Sequence, residues 1–213
     1  MEYGIKELFI LFMIYSFLGW VQEVIRGIIL EKKVVNRGFL IGPYCPIYGF
    51  GAILMILSLT KYIDDPITLF FMSIILFSFL EYLTSFLLEK IFNARWWDYT
   101  HYKFNINGRI CLETMIPFGI AGLLAMYFVN PFFFKCMQNT PDFILSFIFV
   151  TFSIIIQVDI VITYIIMNNV KGTIKKVKKD NTEEITKKVK ELLMQKNYFK
   201  KRIIKAFPGL KIK

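Results

Sequence analysis

Residues 143–167 read FILSFIFVTFSIIIQVDIVITYIIM, twenty-five residues in which Asp159 is the single charged side chain. About 20 apolar residues, rising 1.5 Å each as a helix, cross the roughly 30 Å hydrocarbon core of a bilayer. The stretch therefore predicts a transmembrane helix. Four more runs of this kind, bounded by charge, Gly or Pro, lie at 8–30, 46–59, 67–88 and 110–128. The second is short, and Gly42, Pro43, Pro46, Gly49 and Gly51 before and inside it predict irregular backbone entering the membrane, which survives there only under a cover of protein or water. The fold class is all-α: a polytopic membrane helix bundle of about five transmembrane helices over residues 1–170, followed by a basic cytoplasmic amphipathic tail over 171–213. The 213 residues are 56% hydrophobic and 17% aromatic, which excludes a disordered chain. Three Cys cannot pair evenly, which excludes a disulfide scaffold; Cys45, Cys111 and Cys136 are read as reduced packing residues.

The charge is divided unevenly. The whole chain carries +10, but residues 171–213 carry +11 and residues 1–170 carry −1. Lys and Arg are retained on the cytoplasmic side of short loops. One set of segments holds Lys32, Lys33 and Arg37, then Lys90, Arg95, Lys103 and Arg109, then the tail; the other holds Lys6, Lys61 and Lys135. This asymmetry places the amino terminus outside and the tail in the cytoplasm, as an odd number of spans requires. Residues 1–7 lack a cationic segment, and no small-residue cleavage site follows the first apolar run, so the first span is expected to stay as an anchor.

In the tail, Asn181 with Glu184 makes a helix start, and Ile185, Val189, Leu192, Leu193, Phe199, Ile203, Ile204 and Phe207 form one apolar stripe among Lys and Arg. Such a helix beneath a membrane contacts anionic lipid headgroups; docking a cytoplasmic protein is the alternative. Nucleic acid is not an expected partner, because no nucleic-acid motif accompanies the charge.

Spans 1–2 and 3–4 look alike. Each pair goes inward through a span carrying Glu23 or Glu81, turns at Asn36-Arg37-Gly38 or Asn107-Gly108-Arg109, and returns through a span holding Pro46 or Pro117, ten residues after the Asn. A parallel repeat would put a binding site at the repeat interface. Ionisable groups in hydrocarbon cost several kcal/mol unless paired or wet. Glu23, Glu81, Glu113 and Asp159 all fall about 5–12 Å below the cytoplasmic surface, with Arg26, Arg109, Gln22 and Gln157 at similar depths. They could share one inward-open polar cavity. Alternatively Glu23 and Arg26, three apart on one helix face, neutralise each other and Glu113 sits at the interface.

The third loop, 93–109, holds Trp97, Asp98, Tyr99, His101, Asn107 and Arg109. Its aromatics suit a headgroup-level belt, whereas Asp98, His101, Asn107 and Arg109 supply an acid, a base, an amide and a phosphate-shaped fork. The helix amino termini near Pro43, Pro46 and Gly108 would favour an anion such as a lipid phosphate. The chain contains no Gly-x-x-x-x-Gly-Lys-Ser/Thr loop, no His-Glu-x-x-His, no Cys-x-x-Cys and no Gly-x-Ser-x-Gly. The carboxylates could hold a hard cation, but nothing in their spacing demands one, and neither metal nor cofactor is expected.

The stretch Phe17-Leu18-Gly19-Trp20 with Glu23, then Asn36-Arg37-Gly38-Phe39-Leu40 leading into Gly42-Pro43-Tyr44-Cys45-Pro46-Ile47-Tyr48-Gly49, then Trp97-Asp98-Tyr99 and Asn107-Gly108-Arg109-Ile110, resembles the bacterial "putative ABC-transporter type IV" membrane family. The likeness covers about residues 8–130. It implies a multi-pass bacterial inner-membrane protein of permease type, with any ATPase on a separate subunit. The expected function is transport of a polar or charged solute, bound by Glu23, Arg26, Glu81, Trp97, Asp98, Tyr99, Asn107, Arg109, Glu113 and Asp159. The alternatives are a membrane-embedded enzyme or headgroup-binding protein using Asp98 or His101 with Arg109 on phosphate, and a structural or regulatory membrane partner.

Overall fold

The computed structural model describes residues 3–32, 36, 38–92, 94–177 and 211–212. Arg37, and the stretch 178–210 that contains the expected amphipathic helix, lie outside the described residues. Six α-helices carry the described fold: α1 (Ile5–Glu31), α2 (Pro46–Leu59), α3 (Pro66–Phe92), α4 (Leu112–Leu124), α5 (Asn130–Gln138) and α6 (Asp142–Val177). Helices Ile5–Ile29, Pro66–Phe92, Leu112–Gln138 and Asp142–Asn168 are long and apolar enough to cross a membrane, and Pro46–Tyr62 is a shorter apolar helix. This is an all-α membrane bundle.

Local chemistry sets the helix ends. Helix α2 begins on Pro46 and α3 on Pro66, where the missing N–H costs nothing. Asp65 caps α3 by accepting from the Ile67 and Thr68 N–H groups, both at 3.1 Å. Helix α1 stops where Lys32 turns left-handed (φ 52°) and its N–H bonds the Ile28 carbonyl.

The sequence places the end of the fourth span at 128, but the structure carries it on to Gln138. The link is a π-helical turn, Ala125–Val129, and Pro131 then stands at the start of α5. The wider turn takes up one extra residue, so the helix continues where a Pro would otherwise break it. Below this turn α4 packs on α3; above it α5 packs on α1. There the buried Asn130 accepts from the Tyr15 hydroxyl at 2.6 Å.

The broadest helix contacts are α1 with α2 and α3 with α4, and both hairpins are built in the same way. Ser16 on α1 and Ser73 on α3 are fully buried, and each hydroxyl donates 2.7 Å to the carbonyl four residues earlier. A returning Gly sits directly on each: Gly49 over Ser16 and Gly122 over Ser73, with no room for a Cβ. Close approach through small residues holds membrane helices where lipid supplies no hydrophobic drive. Gly49→Val is therefore expected to lower the unfolding free energy by about 1–3 kcal/mol through overpacking. Thermal unfolding in detergent would measure this, and an unchanged melting temperature would show that the two helices have slack.

Apolar clusters fill the remaining interior. One joins Ile10 and Leu11 of α1 to Ile56, Met137 and Leu145; another joins Met55 and Leu59 of α2 to Leu69, Ala125 and Met126. Lys6 of α1 pairs with Asp142 of α6 at 2.7 Å across one end of the bundle. At the other end, residues 94–111 fold on themselves instead of forming a plain loop: β2 (Asn105–Ile106) pairs antiparallel with β3 (Ile110–Cys111). The short strand β1 (Ala94–Arg95) pairs with β4 (Lys211–Ile212), bringing the end of the chain beside this folded segment. No disulfide joins the three cysteines; Cys45 and Cys111 are buried and Cys136 is exposed.

Candidate functional site

Where the two hairpins meet, their acidic residues are held in matching ways. Glu23 of α1 accepts 2.7 Å from the Tyr48 hydroxyl of its own return helix, α2. Glu81 of α3 accepts from Thr114 of its own return helix, α4, at a longer 3.5 Å. Between them stands Tyr99 from the folded segment. Its hydroxyl donates to Glu81 at 3.2 Å, and Arg26 lies near enough to act on it electrostatically. Burial first, and then the Glu81 carboxylate, push the Tyr99 phenol well above its ordinary pKa. It stays a neutral donor toward Glu81. Glu23 and Arg26, three residues apart on α1, lie close enough for their charges to act on one another, and Glu23 acts on Glu81 in the same way.

A second network folds the 94–111 segment onto α3. Glu89 is its centre, receiving Arg95 Nε at 3.0 Å and Arg109 Nη2 at 2.9 Å on the same oxygen. Arg95 also faces Asp98 at 3.6 Å and donates to the Asn107 carbonyl. Arg109 is buried: it donates to Ser85 at 3.1 Å and lies over the rings of Tyr82 and Phe86. Trp97 donates to the Arg109 carbonyl, and the Asn107 amide donates to the Tyr82 hydroxyl. Asn107 (φ 53°) and Gly108 (φ 64°) both turn left-handed to bring the strand back. A Cβ on Gly108 would meet Asp98 and Thr100 as well.

Asp159 belongs to a third place. It is buried on α6 and accepts from the Ile41 N–H (2.9 Å), the Gly42 N–H (2.7 Å), the Tyr44 hydroxyl and Thr163 (2.9 Å). It pins the backbone that leads into α2. Asn36 helps from the other side, accepting from the Trp20 indole at 2.7 Å and donating to the Ile41 carbonyl.

Of the residues singled out in the sequence, Glu23, Arg26, Glu81 and Tyr99 come together. Trp97, Asp98, Asn107 and Arg109 lie in the Glu89 network, Asp159 is on a different helix with different partners, and Glu113 is exposed at the start of α4. His101 is exposed and packs on Tyr102 at 4.3 Å between ring centres. Trp96 turns inward against Phe39 and is only 2% exposed, unlike a residue of a headgroup belt. Among the described residues no cluster of His, Cys, Asp and Glu could hold a metal ion. Sequence reasoning missed Tyr48, Glu89, Arg95 and Thr114. The spacing of Glu89 from Arg95 was the available signal, six residues across a helix end.

The sequence pattern of the family described as "Putative ABC-transporter type IV" matches residues 10–164. The chain belongs to that family. The match spans α1 to most of α6 and so takes in every residue of the three polar networks. No curated protein and no solved structure matches this member of the family. Family and fold together make it a multi-pass membrane protein related to transport.

Proposed function

We propose that this member of the putative ABC-transporter type IV family is a permease-like subunit of a bacterial inner membrane that binds a polar or charged solute at the Glu23–Arg26–Tyr99–Glu81 cluster. The observation that carries the reading is the bridge itself. Each hairpin holds one carboxylate with a hydroxyl of its own, and Tyr99, bonded to Glu81, stands with Arg26 between the two at the interface between hairpins. A solute that replaced the bridge would be sensed by both halves of the bundle. Two carboxylates face one guanidinium, so the excess is acidic and favours a solute carrying positive charge, such as a protonated amine. α2 serves as the fifth crossing, at about 27 Å by helical rise. The amino terminus is outside and the cluster lies toward the cytoplasmic end, in keeping with the Lys and Arg around the 94–111 segment. Energy comes from a separate ATPase subunit. Headgroup chemistry on Arg109 has less support, because its fork is occupied by Glu89 and Ser85.

The test is ATP-driven uptake into native membrane vesicles, which retain the ATPase subunit, of a panel of labelled organic cations, amino acids and anions, with Glu23→Gln, Glu81→Gln and the double variant. Uptake of a cationic member is expected to fall at least about tenfold in the double variant while the protein stays folded. Wild-type uptake in all three variants would remove the cluster from the transport path.

A further inference from the structure

Helix α6 meets the rest of the bundle through Leu145, Ile156, Asp159, Thr163 and Met167, all buried. About a quarter-turn away, another stripe of the same helix is largely exposed: Val150, Ser153, Gln157, Ile160, Tyr164 and Asn168, spaced alternately three and four residues until the last step. Gln157 and Asn168 are exposed, Ser153 is partly so, and Val150, Ile160 and Tyr164 are 52%, 49% and 58% exposed. Four of these six are polar, on a surface whose other members are Ile, Val and Phe. Gln157 lies near the middle of the Asp142–Asn168 span. No side chain of this chain bonds its carboxamide among the described residues, and a lipid tail offers it neither donor nor acceptor.

We propose that this stripe is the contact between two copies of the chain, paired about a two-fold axis along the membrane normal. Two copies inserted the same way can be related only by such an axis, so every residue meets its own twin at its own depth. A stripe suited to that arrangement must be self-complementary, and this one is. A carboxamide is at once donor and acceptor, so Gln157 can give one N–H and take another from its twin; the Ser153 and Tyr164 hydroxyls can do the same. The alternating three-and-four spacing is the seam of two helices crossing at a small left-handed angle, as in a coiled coil. An unlike partner would need its own polar groups at the same depths.

Cross-linking of the full chain in native membranes tests this, with Cys136→Ser removing the exposed native thiol. Under a mild oxidant Ser153→Cys is expected to give a covalent dimer of two copies. Ile155→Cys, also exposed but about 160° round the helix, is expected to give none. Step-counting of fluorescence in dilute lipid bilayers should show two copies per particle. Gln157→Leu should weaken that association by about 3- to 20-fold without changing helix content or melting temperature, since its side chain is exposed and makes no hydrogen bond among the described residues. Monomers in wild type, equal cross-linking at 153 and 155, or a 153 adduct with a different protein would each overturn the proposal; if Gln157→Leu failed to fold, the 153 and 155 pair would still decide it.

Discussion

Glu89→Ala is expected to destabilise the protein by about 3–5 kcal/mol, the usual consequence of removing one partner from a buried ion pair. The reason is geometric. Arg109 is buried against Tyr82 and Phe86, and its ionic partner is the Glu89 oxygen that also receives Arg95. Without that oxygen a buried guanidinium keeps, among the described residues, only Ser85 as a side-chain hydrogen-bond acceptor. The charge, more than the lost contact, makes the effect large. It follows that Glu89→Leu combined with Arg109→Met should recover most of the loss, because an apolar pair of similar volume replaces an ionic one at little cost. Equilibrium unfolding in detergent of the two single variants and the double variant measures the coupling directly. Additive losses would mean that the two side chains do not depend on each other, contrary to the 2.9 Å contact.

Asp159→Ala is the second large effect. It leaves the half-buried Ile41 and Gly42 N–H groups without their charged acceptor, at up to about 1–3 kcal/mol for each. The consequence is local before it is global. Cys45 follows the pinned backbone, is 6% exposed, and donates its N–H to the Ser16 carbonyl at 2.8 Å. With the exposed Cys136 changed to Ser, maleimide labelling of Cys45 should be slow in wild type and fast in Asp159→Ala. Asp159→Asn, which keeps one carbonyl oxygen, should fall between. Equal labelling of all three would show that the approach to α2 is held by something other than this carboxylate.

These two residues also show what could and could not be read without the fold. The apolar runs gave the helices because hydrocarbon thickness fixes their length, and the height of each acid followed from a rise of about 1.5 Å per residue. Height is only one coordinate. Asp159 shares a depth with Glu23 and Glu81, yet it serves the Ile41–Tyr44 backbone, because α6 packs chiefly on α1 and touches α3 only narrowly. Azimuth depends on packing, which a single sequence does not state. Glu89 was overlooked for a different reason. It sits in the last turns of α3, where a Glu usually faces water, and it becomes central only because residues 94–111 fold back over it. The fourth span was drawn ten residues short because Pro131 reads as a stop unless the turn before it is wide.

That wide turn has a consequence for how the chain tolerates change in length. One residue advances a helix by about 100°, so the extra residue within Ala125–Val129 turns the far half of the helix to a different compass bearing from the near half. The near half faces α3, and the far half presents Asn130 to Tyr15 on α1. A single continuous rod thereby serves two unlike neighbours. The segment works as a phase shifter: elsewhere in these helices gaining or losing one residue scrambles every contact beyond it, and here one such offset is built in and is what puts Asn130 on its partner.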